Sequence, residues 1–176
     1  MTDASTRPIA LVGLMGAGKS DVARALGERL GGAVADLDSM AEAEQDCTIA
    51  ELFEREGEAA FRRLEGRILD QALACGAAVV ACGGGIVLDP ERRRSLGARC
   101  RVVWLEVSPA TAARRLAALE GARPLLAGRD TQHRLEELLV ARRPLYGEVA
   151  HARVSTEGRT PEQVADEVLR VLGERG

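Results

Sequence analysis

Gly13-Leu14-Met15-Gly16-Ala17-Gly18-Lys19-Ser20 has the spacing G-x-x-x-x-G-K-[ST], and Lys19 is the only lysine in the chain. Every other member of the 24 Lys plus Arg residues is an arginine. Glycines at these positions let the backbone wrap an anion with its N–H groups pointing inward. Lys19 is then placed to reach the β- and γ-phosphates of a nucleotide, and Ser20 to ligate Mg²⁺. A flexible glycine turn is the simpler alternative. The apolar run Ile9-Ala10-Leu11-Val12 before the octet and the helical pattern after it argue against that.

Three further groups of residues are able to act beside bound phosphates. Asp36 and Asp38 end a second apolar stretch, and spacing by two puts both on one face if that strand continues. They are placed to hold Mg²⁺ through water or to orient a substrate hydroxyl, or they mark a turn, where Asp is common. Arg62 has Glu65 at i+3 to hold it, and Arg142-Arg143 precede Pro144-Leu145-Tyr146. Arginines from two distant places can grip a carboxylate in a planar fork, although each also suits an ordinary exposed helix. Gly83-Gly84-Gly85 follows an apolar strand. Three successive glycines carry an entropic cost, and close approach of a small ligand to the backbone is the better reason for them.

These residues need a scaffold of alternating strands and helices. Strands are expected at 9–12, 33–36, 79–82, 101–107 and 152–155. A helix is expected at 20–30, with Val22, Leu26 and Leu30 on one stripe, ended by Gly31-Gly32. Helices fill 39–74, a short arginine-rich one covers 90–96, and another starts at Ser108-Pro109. The irregular stretch 117–132 suits a mobile lid. A helix over 131–143 is expected to stop near Pro144, and Thr160-Pro161 opens the last one. Strand, glycine loop, helix, strand is the start of an α/β unit.

At 176 residues, with 46% hydrophobic residues, one globular domain is the expectation. Aromatics are only 2%, so the core must come from Ala, Val, Leu and Ile. A net charge of -3 argues against general nucleic-acid binding. No apolar run has the length of a membrane span, and the N-terminus lacks the basic start and apolar core of a signal peptide. The cytoplasm is the expected compartment. Cys47, Cys75, Cys82 and Cys100 are too scattered for a zinc site and read as reduced thiols.

In order along the chain, the octet, Asp36-Leu37-Asp38, Ile49-Ala50-Glu51-Leu52-Phe53, Gly57-Glu58 with Phe61-Arg62-Arg63-Leu64-Glu65, Gly83-Gly84-Gly85, Arg123-Pro124-Leu125-Leu126 and Arg142-Arg143-Pro144-Leu145-Tyr146 resemble the shikimate kinase family. The resemblance implies phosphorylation of the 3-hydroxyl of shikimate by ATP with Mg²⁺, on the route to chorismate and the aromatic amino acids. It implies a three-layer α/β/α fold with a five-stranded parallel sheet, of the P-loop nucleoside triphosphate hydrolase type. The expected unit is one domain over 1–176, with a helical substrate-binding insertion at about 37–65 and a lid at about 117–130. A cytoplasmic monomer acting on a small molecule is implied, with no nucleic acid or membrane partner.

By the same resemblance, Lys19, Asp38 and Arg123 are catalytic. Asp38, Arg62, Gly84, Gly85 and Arg142 bind the acceptor. Gly16, Ala17, Gly18, Lys19, Ser20, Asp21, Arg123, Arg159 and Pro161 bind the nucleotide, and Ser20 and Asp36 the metal. The chain departs from the family's pattern at Asp21, at Cys82 before the glycines, at Asp46 in place of a glycine, and at Leu116, where an adenine-stacking arginine is common. Another small-molecule kinase acting on a carboxylated polyol such as gluconate is the closest rival. A guanine-specific switch is excluded, because its Asn-Lys-x-Asp motif needs an asparagine and a second lysine, and the chain has neither.

Overall fold

The computed structural model describes residues 7–119 and 129–173. Its strands are β1 (Ile9–Val12), β2 (Val34–Asp36), β3 (Val79–Ala81), β4 (Arg101–Glu106) and β5 (Ala152–Ser155). They form one sheet in the order β2-β3-β1-β4-β5, every pair parallel. The central strands β1 and β3 are buried along their whole length, which is why they read as unbroken apolar runs. Side chains alternate between the two faces. Ala10, Val12, Val80, Val102 and Trp104 join one core cluster. Ile9, Leu11, Val79, Ala81, Val103 and Leu105 join the other.

Helices cover both faces, giving the expected three layers. On the first face lie α3 (Ile49–Ala74), α4 (Pro90–Arg99) and the end of α6 (Arg129–Val149), through Ile68, Leu69, Leu96 and Tyr146. On the second lie α1 (Lys19–Leu30), α5 (Pro109–Ala118) and α7 (Pro161–Val171), through Val22, Leu26, Ala112, Val164 and Val168. Side-chain caps mark the starts of α5 and α7, as expected at Ser108 and Thr160. Thr48 opens α3 with a reciprocal bond to Glu51. Between β2 and α3 lies α2 (Leu37–Gln45), closed by Asp46 at φ 50°, a left-handed conformation that Asp tolerates. The long α3 breaks at Gly57, where φ 80° and ψ 170° interrupt the ladder. Among the described residues no helix is long and apolar enough to cross a membrane. All four cysteines are free, as expected.

Two expectations are corrected. The chain does not continue as a strand through Asp38. Asp36 ends β2 and caps α2 by accepting from the Ser39 N–H at 3.2 Å, so Asp38 lies in a helical first turn. Pro144 does not stop the helix, because α6 runs on to Val149. The carbonyl deprived of its donor is that of Val140, a residue 76% exposed, which puts this turn of α6 on the solvent side. The buried Tyr146 anchors the turn that follows. Residues 120–128, most of the expected lid and including Arg123, lie outside the described residues. Pro144→Ala should raise stability by about 1–2 kcal/mol, the restored ladder bond less the loss of proline's stiffening of the unfolded chain. Urea denaturation checks this, and a loss of stability would mean that the ring itself is needed.

Candidate active site

The loop after β1 turns into α1 over Gly18, which sits at φ 82°. Gly16 has φ 79°, and a methyl group there would stand 2.8 Å from the Ala112 carbonyl, so only glycine lets the loop rest against α5. Free N–H groups at the start of α1 favour an anion at this point. The Lys19 ammonium donates to the carbonyls of Gly13 at 2.9 Å and Leu14 at 3.0 Å. Burial pulls its pKa below the ordinary lysine value; the charges of Asp38 and Asp36 oppose this, and Arg142 adds to it. Asp36, Asp38 and Arg142 are therefore all close enough to act on the Lys19 ammonium.

Ser20 Oγ donates to Asp36 Oδ2 at 2.5 Å. Two hard oxygens side by side at the edge of a phosphate loop fit Mg²⁺, which takes few protein ligands and keeps several waters. Asp21 is not gathered into this group. It faces solvent and pairs with Arg24 at 3.2 Å.

The glycine run lies against the phosphate loop and is enclosed by charge. A methyl group on Gly83 would stand 2.6 Å from Glu65 Oε1 and 2.8 Å from Asp38 Oδ1. On Gly84 it would meet Arg142 Nη1 at 3.6 Å and the Met15 N at 3.6 Å, and on Gly85 Arg62 Nη2 at 2.3 Å. The two arginines that the sequence leaves 80 positions apart thus meet over adjacent glycines. Arg142 donates to the Gly84 carbonyl at 3.0 Å, and the Tyr146 hydroxyl donates to the same oxygen at 2.7 Å. Arg62 donates to Glu65 at 2.8 Å and Glu58 at 3.4 Å, with its guanidinium carbon 5.2 Å from the Phe61 ring centroid and 6.0 Å from that of Phe53. Arg143 is exposed and takes no part in this grouping.

Glu65 is 2% exposed, and its Oε1 has no hydrogen-bond partner among the described residues; the same is true of Arg62 Nε. Buried polar atoms of this kind normally have partners, so the cleft is built for a polar ligand.

The family model described as shikimate kinase matches residues 15–173. The chain belongs to the shikimate kinase family. A shikimate kinase of Symbiobacterium thermophilum is 44% identical over 170 residues, 96% of this chain and 97% of that one. The solved shikimate kinase of Acinetobacter baumannii in complex with shikimate superposes with a TM-score of 0.88 at 36% identity, covering 96% of this chain and 94% of that one. A gluconokinase of Sinorhizobium meliloti, at 20% identity and TM-score 0.59, shares the fold alone.

The departures from the shikimate kinase pattern have structural readings. Cys82 is buried in the core at the end of β3, where burial pushes its thiol pKa well up, so it acts as a small apolar filler. Leu116 is partly buried and packs against the edge of the second core cluster. Its neighbour Arg115 donates to the carbonyls of Gly16 and Thr156. Arg159 lies on the turn that follows Thr156, and Pro161 opens α7 directly after it. The contacts of Tyr146, Phe53, Phe61 and Arg115 escape sequence reasoning. One signal was present for the rings: in a chain so poor in aromatics, Phe53, Phe61, Trp104 and Tyr146 are all of them. Phe53 and Phe61 lie beside Arg62 and the Tyr146 hydroxyl holds the Gly84 carbonyl, while Trp104 packs 5.6 Å from Tyr146 with Arg153 over its ring.

Burial, with the nearby Asp38 charge, holds the Glu65 carboxyl above the usual carboxylate range against the opposing pull of Arg62. A raised folded pKa contributes stability that is complete below the unfolded value and is lost as pH rises through the folded one. The stability of wild type relative to Glu65→Gln should therefore fall from acid pH towards neutrality in paired urea titrations. A difference that grows with pH would mean that the Arg62 ion pair outweighs burial.

Proposed function

We propose that the protein transfers the γ-phosphoryl group of ATP to the 3-hydroxyl of shikimate, giving shikimate 3-phosphate and ADP on the route to chorismate and the aromatic amino acids. The observation that carries this reading is the meeting of Arg62 and Arg142 over Gly85 and Gly84, with Asp38 over Gly83, beside the phosphate loop. Two guanidiniums at one end of a cleft suit a carboxylate, and an acidic side chain at the other suits a hydroxyl. Family membership supports the same acceptor.

We assign roles to the residues around the glycine run by their position, and to Arg123, Arg159 and Pro161 by the family resemblance. Arg62 and Arg142 grip the acceptor carboxylate, while the backbone of Gly84 and Gly85 lines its ring. Asp38 accepts the hydrogen bond of the reacting hydroxyl and takes its proton as the oxygen bonds to the γ-phosphorus. The bond from that phosphorus to the bridging oxygen of ADP breaks on the opposite side. Lys19 leaves the Gly13 and Leu14 carbonyls and follows the negative charge on the transferring oxygens. The backbone N–H groups of Gly16, Ala17 and Gly18 cradle the β-phosphate. Ser20 and Asp36 would hold Mg²⁺, which neutralises phosphate charge when bound. Arg123, from the segment outside the described residues, completes the cationic set. Arg159 and Pro161 face the base. We take the active form to be a cytoplasmic monomer with no nucleic acid or membrane partner.

Coupled ADP release should require shikimate and should not occur with gluconate, a nucleoside monophosphate or no acceptor. Release with gluconate instead would keep the phosphate loop and discard the acceptor. Asp38→Asn should lower kcat by about a hundredfold or more while ATP affinity changes far less. Equal losses in both would undo the placing of Asp38 at the acceptor hydroxyl.

A further inference from the structure

A second polar cleft lies on another face of α3. Arg62 reaches Gly85, and a helix turns each following side chain by about 100°, so Arg63 leaves that side. There a cleft of about 480 Å³, within the size range of small-molecule sites, opens between α3, the end of α2 and the start of α4. Its base is apolar: Leu52 and Leu64 are buried, and Ala60 lines it with them. Arg63, Arg67 and Arg92 line it as well. Their donors are unequally used. Arg67 donates to Glu44 at 3.2 Å. Among the described residues Arg63 makes no hydrogen bond and no ion pair. The Arg92 side chain is only 19% exposed, and its buried Nε has no partner among them. Asp70, Asp89 and Glu91 stand 3.6–3.7 Å from it, beyond hydrogen-bond length. Asp70 is bonded to Arg99 instead, and Asp89 accepts from the Glu91 N–H. The other acid of the cleft, Glu56, is bonded to Arg55 at 2.9 Å.

The room for Arg92 is built. Glycine weakens a helix interior, yet Gly66 stands inside α3, where a methyl group would meet the Arg92 Cζ at 2.6 Å. Gly66 is at i+3 from Arg63, so both guanidiniums belong to one stretch of the helix surface. The cleft also crosses the Gly57 break: Leu52 and Glu56 precede it, and Ala60, Arg63 and Leu64 follow it. Phe53 and Phe61, the rings beside Arg62, stand on either side of the same break.

We propose that this cleft binds a small monocarboxylate with an apolar body, and that its occupancy changes acceptor affinity. The carboxylate takes the free donors of Arg63 and Arg92, and the body covers Leu52, Ala60 and Leu64. With Glu56 and Asp70 nearby, the two guanidiniums suit one negative charge rather than a doubly charged phosphate. An occupant touching both halves of α3 fixes their angle at Gly57, and with it the place of Phe53 beside Arg62. The coupling rests on the acceptor reading above; the binding does not.

Phenylacetate is the probe, titrated by calorimetry into wild type saturated with shikimate, so that the acceptor site is filled. It should bind saturably, with a dissociation constant of about 1 mM or tighter. Phenylethanol, with the same body and no charge, should bind about tenfold more weakly or worse. Arg63→Gln should weaken phenylacetate about tenfold, and Ala60→Phe, which fills the cleft, should abolish its binding. Both variants should turn over shikimate as wild type does. In wild type, phenylacetate should move the dissociation constant of shikimate to a plateau about fivefold away, a shift that vanishes in Ala60→Phe. No saturable binding, equal binding of the alcohol, or binding indifferent to both substitutions would overturn the proposal. So would the absence of any shift, or one that grows without a plateau and persists in Ala60→Phe, which is competition at Arg62 and Arg142. Failure of the acceptor reading would show separately, as wild type that binds no shikimate without the probe; wild type against Ala60→Phe would then still decide the binding.

Discussion

Charged groups out of water need partners. In this protein they are gathered along a backbone stretch with no side chains, and Glu65 Oε1 and Arg62 Nε are the buried atoms of that group left to a ligand. Gly83 to Gly85 leave the end of β3 and pass beneath Asp38, Glu65, Arg142 and Arg62; a methyl group on Gly83 or Gly85 would clash with Glu65, Asp38 or Arg62, and one on Gly84 would touch Arg142 at ordinary contact distance. The glycines are not present for turning alone. They let four charged side chains from three helices close on one strand end. The positions of α2, α3 and α6 around the sheet follow from that requirement as much as from burial of apolar faces.

Two supports keep the arrangement rigid. The Gly84 carbonyl accepts from both Arg142 and Tyr146, so it ties α6 to the loop after β3. Arg62 rests between a buried carboxylate and two phenyl rings, which hold a guanidinium without cancelling its charge. Spending every aromatic residue near one cleft leaves the rest of the core to aliphatic packing. The two clusters of Ala, Val, Leu and Ile on either face of the sheet are the result.

Much of this was legible beforehand. The phosphate loop, the five strands and the caps at Ser108 and Thr160 rest on local spacing, and they stand where expected. What local spacing does not carry is how distant segments meet. Arg62 and Arg142 also suited ordinary exposed helix positions, and only the packing of α3 and α6 on the same side of the sheet brings them together. Asp36 and Asp38 suited a shared strand face or a turn, and spacing left both open, because a cap and a strand end look alike in sequence. Pro144 was misread as a stop, because the solvation of the Val140 carbonyl depends on which side of α6 faces water. The bonds of Arg115 follow from tertiary packing alone.

The central claim is that Arg62 and Arg142 act on one carboxylate. A double-mutant cycle with Arg62→Ala, Arg142→Ala and the double variant, read as the dissociation constant of shikimate by calorimetry, tests it most directly. The expected result is strong non-additivity, with a coupling of about 1 kcal/mol or more between the two substitutions. Losses that simply add would contradict a shared carboxylate and assign the two arginines to separate tasks.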